Sequence, residues 1–437
     1  MRIAASVSPK RYDNRYGEGT PTTTTRPTPQ RRTPDRRALD RRAADRRTAP
    51  QPEHPRTVVV AVRRLFDAET PEYFLLLGTT LFLVVFGLIM VLSSSSIEAR
   101  TAGGDFFAQA ARQGLYALVG IPAMLLAARA PAAFWKRWAG TAVVIGVALQ
   151  LLVFLPGLGY ERGLNRNWIN LGSFTAQPSE LIKLALVIWL AWVLSRKGDA
   201  LHEWREVAIP ILPITIVTTG LVLAGNDLGT ATIILAIVFG ACFFAGVRLR
   251  ILAAALAGVS VVALFAVQFS DSRSSRVAAW LNQCSNPDLY SRDCWQSIHG
   301  WEALAHGGVF GVGLGNSSGK WWWIPEAAND FIFAIIGEEL GLIGAVLVLA
   351  LFVVLTVCFV RIIRMSRDPF AKLAVSAAMV WIIGQAFVNI AVVLGLLPVL
   401  GVPLPLVSAG GSALITTLTA IGIVLSFARH RPVAPRQ

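Results

Sequence analysis

Residues 320–341 read KWWWIPEAANDFIFAIIGEELG, a stretch that passes from a polar loop into an apolar helix. The three consecutive tryptophans at 321–323 are typical of the headgroup level of a bilayer, where amphipathic indoles concentrate. Asn329 is predicted to cap the helix that follows, which places Asp330 in its first turn. The positive end of the helix dipole favours an ionised carboxylate there. Taken alone, Asp330 fits a capping acid at a helix start, so its surroundings decide its role.

Two further acids, Glu338 and Glu339, lie on the same predicted helix. At 1.5 Å per residue they are roughly 12–14 Å deeper than its start. An acid at membrane depth is costly unless it has a partner or faces a polar cavity. The stretch therefore predicts polar contacts within the protein at this depth.

The composition is that of a membrane protein. Of 437 residues, 54% are hydrophobic and only 15% are charged, and the mean hydropathy is +0.57. A soluble globular protein carries about 25% charged residues. An all-α polytopic membrane protein is therefore predicted. Much of the net charge of +14 lies in the N-terminal region, so it says little about the folded core.

Residues 1–68 contain no long hydrophobic run and carry a short repeat, RRTPD, RRALD, RRAAD and RRTAP. A five-residue period cannot place the arginine pairs on one face of a helix of 3.6 residues per turn. Threonine and proline surround the repeat, so a disordered basic cytoplasmic tail is predicted. Two interpretations stay open: the tail binds anionic lipid headgroups or an acidic protein, or it only helps to set the topology.

Ten apolar segments follow, each long enough to cross the ~30 Å hydrocarbon core. The predicted spans are 72–95, 113–130, 138–156, 179–195, 207–224, 229–246, 250–269, 330–360, 371–396 and 409–428. An even number places both termini on one side, and the arginine-rich N-terminus makes that side the cytoplasm. The expected organisation is a tail (1–68), a ten-helix membrane domain (69–428) and a cytoplasmic C-terminal tail (429–437).

The loop between the seventh and eighth spans, residues 270–329, is the largest on the predicted outer side. It contains Cys284 and Cys294, for which a disulfide is expected if the loop is extracytoplasmic. The glycine-rich run GGVFGVGLGNSSGK follows them. It is not a phosphate-binding loop, because it lacks the GK[ST] arrangement and a preceding strand. Long loops of this composition are more often functional than connective.

Polar side chains gather at the predicted outer ends of the spans. Five separate segments contribute to this set: Arg166 and Trp168; Gln177, Ser179, Glu180 and Lys183; Asp227; Lys320, Glu326 and Asp330; Ser408 and Ser412. Most have a structural explanation when considered singly. Glu180 and Lys183 fit a structural i,i+3 ion pair. Asp227 fits a helix cap, and Lys320 fits a solvated loop charge.

As a group, these side chains indicate a binding site. Acids and bases at one edge of the membrane fit an anionic lipid substrate with a sugar or phosphate headgroup. Arginine and lysine would hold a pyrophosphate, and a carboxylate would act as a general base towards a hydroxyl. The sequence contains no cysteine and histidine cluster of the zinc-binding type.

Five motifs resemble those of one family, in the family's order. They are RGLNRNWINLG with QPSELIK, NDLGTA, the glycine run, PEAANDFIFAIIGEELGLIG and PLPLVSAGGSAL. The chain resembles the SEDS proteins (shape, elongation, division and sporulation) over residues 72–428. The motif around Asp330 is closer to the division-type member than to the elongation-type member, which stays the alternative. The family often has His-Thr before this aspartate, where Ala328 and Asn329 stand here.

This resemblance implies a membrane glycosyltransferase that polymerises lipid II into peptidoglycan glycan strands during septal wall synthesis. Asp330 would be the catalytic carboxylate, which deprotonates or orients the 4-hydroxyl of the acceptor GlcNAc. Substrate-binding roles would fall on Arg166, Glu180, Lys183, Asp227, Lys320, Glu326 and Ser412. The arginine and the two lysines would hold the pyrophosphate. Glu326 and Asp227 would orient these groups or bind a divalent cation, Mg²⁺ or Mn²⁺.

The same resemblance implies a location in the bacterial plasma membrane at the division septum, among membrane lipids. The expected partners are a single-span class B penicillin-binding protein of the division transpeptidase type and other divisome proteins, with no nucleic acid. Two other classes of function stay open. One is a lipid II flippase, which fits less well because the polar groups collect at one face and not at the midplane. The other is a scaffold that only recruits a transpeptidase.

Overall fold

A computed structural model describes residues 69–101, 107–162, 165–170, 172, 175–268, 271–285, 290, 294–319 and 324–429. The predicted disordered tail at 1–68, the C-terminal residues 430–437, Lys320 and the tryptophans at 321–323 lie outside this part of the chain. Helices dominate the described residues.

Twelve α-helices in the described residues give the all-α polytopic fold that the sequence predicted. They are α1 (Pro71–Thr101), α2 (Ala108–Arg129), α3 (Ala132–Leu152), α4 (Pro178–Leu194), α5 (Trp204–Ala224), α6 (Leu228–Phe244), α7 (Leu249–Gln268), α8 (Asp271–Leu281), α9 (Trp295–Gly307), α10 (Ile332–Met365), α11 (Pro369–Val393) and α12 (Gly411–Ala428).

Each of the ten predicted spans overlaps one of these helices, and α8 and α9 lie in the large loop. In the described part of the chain, six helices are long and apolar enough, by length and composition, to cross a membrane: α1, α2, α5, α10, α11 and α12. Helices α6 and α7 provide shorter apolar segments. The chain is thus a polytopic membrane protein, while the number of ten spans stays a prediction.

The two ends of the helical domain are bonded to each other. Arg429 forms an ion pair of 2.7 Å with Glu69, and the Thr70 hydroxyl donates to the carbonyl of Ala428 at 2.8 Å. The start of α1 and the end of α12 therefore lie on the same side, as an even number of spans requires. The assignment of that side to the cytoplasm stays a prediction.

Helices α4 and α11 are enclosed by the rest of the bundle. Nearly every residue of α4 is buried, and α4 packs against α3, α6 and α11. Helix α11 packs in addition against α6, α10 and α12. Polar side chains on these two helices are removed from water and lipid, so they require partners within the protein.

A three-stranded antiparallel sheet follows α3 and was not predicted. Its strands are β1 (Gly159–Arg162), β2 (Asn165–Asn170) and β3 (Thr175–Ala176), in the order β1-β2-β3. Tyr160 pairs with Trp168, and Ile169 pairs with Ala176. The strands are short and rich in glycine, asparagine and arginine, so they lack the alternating apolar pattern that identifies a strand.

The large loop contains α8 and α9, which are joined by a disulfide. Cys284, just after α8, is bonded to Cys294, the N-cap of α9, and this is the pair that the sequence predicted. Helix α9 packs against α10. The large loop is therefore folded back over the start of α10.

Helix α10 begins at Ile332, and Phe331 is its N-cap. The expectations that Asn329 caps this helix and that Asp330 lies in its first turn were wrong. Residues 324–331 form consecutive bends and turns instead of helix. Asp330 therefore lies two residues before the first residue of the helix.

A break divides α10 into two segments at Gly341. Its φ of 69° lies in the left-handed region, which glycine adopts without steric penalty. The segment after the break, through Met365, is about 36 Å long at 1.5 Å per residue, enough to cross a bilayer core by itself. The segment before the break is buried from residue 332 to residue 339.

Candidate active site

Asp330 lies at the end of the turns that precede α10, with 9% of its surface exposed. The turns contain Glu326, whose φ of 54° is left-handed. Its carbonyl accepts from the main-chain N–H of Asn329 at 2.8 Å. The side chain of Asn329 also donates to the Glu326 carboxylate. These two residues therefore shape the turn that carries Asp330.

Three polar side chains from other elements hold this turn. Asn389 on α11 donates its amide to the carbonyl of Asp330 at 2.6 Å. Ser408 donates its hydroxyl to the carbonyl of Asn329. Gln296 on α9 donates to a carbonyl earlier in the turn at 2.9 Å. The main chain around Asp330 is therefore fixed by three separate elements.

The carboxylate of Asp330 does not cap α10. The first turn of that helix closes with the N–H of Ala334 donating to the carbonyl of Phe331 at 2.9 Å. Asp330 Oδ1 lies 3.5 Å from Gln296 Nε2. Oδ2 faces Gly401, where an added Cβ would lie 4.0 Å away. A carboxylate held through its main chain is suited to accept a proton from a bound hydroxyl.

Helix α4 carries a buried ion pair. Lys183 Nζ lies 2.8 Å from Glu180 Oε1, and the side chains are 1% and 2% exposed. This is the i,i+3 pair that the sequence offered as a structural explanation. Lys183 also donates to Gln385 Oε1 at 2.9 Å, and its Nζ lies 5.2 Å from the centre of the Trp381 ring. The buried ammonium group therefore has its partners inside the protein.

Two polar atoms beside this ion pair are buried without a hydrogen-bond partner among the described residues. They are Glu180 Oε2 and Ser179 Oγ. Buried polar atoms are nearly always paired. These two atoms therefore mark a place where a water molecule or a ligand group can bind.

Asp227 is the N-cap of α6. Its Oδ1 accepts from the N–H of Thr230 at 2.8 Å, and its Oδ2 accepts from Gln177 Nε2 at 2.9 Å. Burial raises the pKa of the Asp227 carboxyl, and the bond from Thr230 and the charge of Lys183 oppose that rise. The main-chain N–H of Gln177 donates to the hydroxyl of Ser412 at 3.2 Å. Gln177 therefore joins Asp227 to the start of α12.

One face of α11 connects the ion pair of α4 to the turn of Asp330. Gln385 and Asn389 are four residues apart and lie on the same face of the helix. They donate to the consecutive carbonyls of residues 402–403, at 2.9 and 2.7 Å. Gln385 also accepts from Lys183, and Asn389 donates to Asp330. The predicted residues of α4 and of the turn thus belong to one network.

Arg166 lies on β2, with its Nε 3.8 Å from Glu161 Oε1 and its side chain 38% exposed. Its neighbour Asn167 is fully buried. Asn167 donates to the carbonyl of Gly225 at 2.9 Å and accepts from Gln150 at 2.6 Å. The sheet is thereby attached to the connection between α5 and α6, next to the cap of α6.

The expected ligands of a divalent cation, Glu326 and Asp227, lie in different elements. Glu326 accepts from Asn329, and Asp227 accepts from Gln177 and Thr230. Within the described ranges, no three His, Cys, Asp or Glu side chains are placed to hold a metal ion. Lys320, the remaining predicted site residue, lies outside these ranges.

Three residues of this network were not predicted from the sequence: Gln385, Asn389 and Asn167. Gln385 and Asn389 carried a usable signal, since two amides on one face of a membrane span require polar partners. Asn167 carried a weaker one, because it stands beside Arg166 in a loop already rich in polar residues.

Known proteins are similar to this chain in sequence and in fold. The FtsW, RodA and SpoVE family, described as cell cycle protein, matches residues 73–432. The probable peptidoglycan glycosyltransferase FtsW of Mycobacterium tuberculosis is 39% identical over 363 residues, which is 83% of this chain and 69% of that protein. The stage V sporulation protein E of Bacillus subtilis is 37% identical over 364 residues, 83% of this chain and 98% of that protein.

A similar chain occurs in a solved structure. That structure is described as structural coordination of polymerization and crosslinking by a peptidoglycan synthase complex. The two chains are 26% identical. The match covers 81% of this chain and 96% of the solved chain, with a TM-score of 0.66. The family match spans most of the sequence and agrees with the resemblance to the SEDS proteins. The chain therefore belongs to the FtsW/RodA/SpoVE family of cell cycle proteins.

Proposed function

We propose that this membrane protein is a peptidoglycan glycosyltransferase that polymerises lipid II into glycan strands at the division septum, with Asp330 as its catalytic carboxylate. The relatives support the activity, because the Mycobacterium tuberculosis FtsW is described as a probable peptidoglycan glycosyltransferase. The network that joins α4, α11 and the turn before α10 supports a polar headgroup site on an apolar bundle.

The observation that carries the proposal is the placement of Asp330. Its main chain is held by Asn389, while its carboxylate does not cap the neighbouring helix. A nearly buried carboxylate is expensive at a membrane edge. Its position before the helix, on a turn held by the polar network, therefore supports a role in the reaction.

In the proposed reaction, Asp330 accepts the proton of the 4-hydroxyl group of the acceptor GlcNAc. The hydroxyl oxygen forms a bond to C1 of the donor MurNAc while the bond from C1 to the pyrophosphate oxygen breaks, which inverts C1. Undecaprenyl pyrophosphate leaves with the electron pair, and the proton passes from Asp330 to solvent. A positioned base of this kind contributes roughly 10²–10⁴-fold to the rate.

The leaving pyrophosphate requires positive charge. The side chain of Arg166 is 38% exposed, so an anion can reach it. Lys183 is 1% exposed and bonded to Glu180 and Gln385. We assign Lys183 to holding the site together, and Arg166 and Lys320 to the pyrophosphate.

The other predicted binding residues form hydrogen bonds that position the elements around the site. Asp227 and Ser412 position Gln177, at the start of α4. Glu326 shapes the turn that presents Asp330. Glu180 contributes the oxygen that has no partner among the described residues, which a substrate hydroxyl can use.

We infer that the chain acts with a class B penicillin-binding protein of the division transpeptidase type, in the plasma membrane at the septum. The similar solved chain belongs to a complex that coordinates polymerization and crosslinking, which supports a crosslinking partner. The FtsW relatives support division over elongation.

The test is polymerisation of lipid II by the purified full-length chain with its partner, comparing the wild type with Asp330→Asn. We expect the rate to fall roughly 10²–10⁴-fold, with an unchanged melting temperature. Asp368→Asn is the matched control, since Asp368 also precedes a helix and caps α11. It is 21 residues before Asn389, about 30 Å along that helix.

Two results would contradict the proposal. An Asp330→Asn variant that polymerises at the rate of the Asp368→Asn control would remove Asp330 from catalysis. Transport of lipid II across a reconstituted vesicle membrane by the wild type, without polymer, would favour a flippase over a glycosyltransferase.

A further inference from the structure

Glu338, on α10, is a fully buried carboxylate whose partners come from the large loop. Its Oε1 accepts from the N–H of Ser318 at 2.9 Å and from the Ser318 hydroxyl at 2.7 Å. Its Oε2 accepts from the Ser317 hydroxyl and from the N–H of Gly319 at 3.2 Å. His306 Nδ1, at the end of α9, lies 3.0 Å from Oε1. Both oxygens are therefore held by residues of the large loop.

The glycine-rich run of the same loop packs against the break in α10. The N–H of Val312 donates to the carbonyl of Glu338 at 3.0 Å, and the N–H of Leu342 donates to the carbonyl of Gly308 at 2.9 Å. The loop therefore supplies main-chain partners that the interrupted helix lacks at Gly341. The approach is close, since a Cβ added to Gly307 would lie 2.7 Å from the Cα of Glu338.

The segment that Glu338 holds leads towards Asp330. Gly319, bonded to Glu338 through its N–H, accepts through its carbonyl from the N–H of Ile324 at 3.1 Å. Ile324 begins the turns that end in Asp330. From Gly319 the chain leads to these turns and then enters α10 at Ile332, six residues before Glu338 and roughly 9 Å away along the helix.

Glu339, the adjacent acid, has a different environment. It is as deeply buried as Glu338. Its carboxylate accepts from the hydroxyl of Ser93 on α1, at 2.6 and 2.7 Å. Among the described residues, the Glu339 carboxylate therefore connects two helices, whereas the Glu338 carboxylate connects a helix to the loop that carries the site.

We propose that Glu338 is a positioning residue for the transfer reaction: it fixes segment 317–319, and through Gly319 and Ile324 the turn that presents Asp330. This inference rests on the proposed glycosyltransferase function. A glutamine at this position can reproduce the shape of Glu338 but not its acceptors. Whichever way the amide is turned, its NH₂ group faces the main-chain N–H of either Ser318 or Gly319, and neither of these can accept a hydrogen bond.

The test compares Glu338→Gln with Glu339→Gln in the full-length chain purified with its partner. Lipid II polymerisation is measured across substrate concentrations, and melting is measured in the same detergent. Because a displacement of about 1 Å at a reacting group can lower the rate ~100-fold, we expect kcat of Glu338→Gln to fall about 10- to 100-fold. We expect KM within twofold of the wild type, and we expect the fall in kcat to remain when activity is expressed per folded molecule. Glu339→Gln should keep kcat within threefold, since its oxygen still accepts from Ser93.

A kcat for Glu338→Gln equal to that of Glu339→Gln would overturn the inference, and so would a loss of kcat matched by an equal loss of folded protein. If Glu338→Gln does not fold, the double variant Ser317→Ala/Ser318→Ala removes hydroxyl donors without changing α10. We expect it to lower kcat severalfold at constant KM, and a wild-type kcat would overturn the inference. Wild-type and Asp330→Asn reactions run alongside, so a failed glycosyltransferase proposal shows as an inactive wild type.

Discussion

Asp227 and Asp330 look alike in the sequence. Each follows an asparagine, precedes an apolar helix and lies at the predicted outer edge of the membrane. For both, a helix cap was the simplest structural explanation. The structure gives them different environments.

Asp227 is a cap. One of its oxygens accepts from the N–H of Thr230 inside α6, and the other accepts from Gln177. Asp330 instead precedes Phe331, the residue that caps α10. It is held through its main-chain carbonyl by Asn389. The comparison teaches that an acid before a helix is a candidate for chemistry only when the helix does not engage its carboxylate.

The largest expected effect tests whether the buried pair of Glu180 and Lys183, whose charges act on Asp227, is structural. Lys183→Met keeps most of the side-chain volume but leaves Glu180 buried without its cation. Breaking a buried pair in this way destabilises a protein by about 3–5 kcal/mol. We expect a loss of this size in the free energy of unfolding in mixed micelles, with a further rise in the pKa of Asp227, which the charge of Lys183 lowers.

Lys136→Met is the matched control for that change. Lys136 forms an ion pair with Asp368 of similar length, 2.7 Å, but both side chains are 38% exposed. Exposed pairs of this kind contribute about 0–1 kcal/mol. Equal losses for the two variants would show that the pair of α4 is not structural.

The helices of this fold could be predicted because hydrophobic length determines where a chain crosses a bilayer. The start of α10 could not, because the apolar run continues across Phe331 and does not show where helical hydrogen bonding begins. The left-handed conformation of Glu326 makes residues 324–331 turn instead. The start of the helix was consequently predicted two residues too early.

The members of the site could be predicted better than their partners. Charged residues at span ends are visible in the sequence, so Glu180, Lys183 and Asp330 could be proposed as members of the candidate site. Gln385 is 202 residues from the Lys183 that it binds, and helix packing alone brings them together. The same holds for Glu338, whose donors come from the glycine-rich loop. The sequence around either residue does not show which distant segment will pack against it.

A smaller effect tests Asp227 directly. Asp227→Ala removes the cap of α6, which costs about 1 kcal/mol, and leaves the side-chain amide of Gln177 without its acceptor, which costs about 1–3 kcal/mol. We expect the free energy of unfolding to fall by about 2 kcal/mol, while polymerisation per folded molecule stays within a few fold of the wild type. A folded Asp227→Ala protein as inactive as Asp330→Asn would break the distinction between the two acids.

The smallest effect concerns pH. Burial raises the pKa of the Asp227 carboxyl above its ordinary value. As the pH rises from about 4, the unfolded chain loses this proton first, so Asp227 destabilises the fold progressively until the pH passes its raised pKa. Asp227→Asn removes that titration. The amide oxygen of the asparagine can still accept from the N–H of Thr230, and its NH₂ group can donate to the side-chain oxygen of Gln177 once the Gln177 amide is turned. Unfolding measured from pH 4 to 8 should therefore show the stability of Asp227→Asn rising relative to the wild type and then levelling off. A difference that is constant with pH would mean that the capping carboxylate titrates as it does in water, and that burial does not set Asp227 apart.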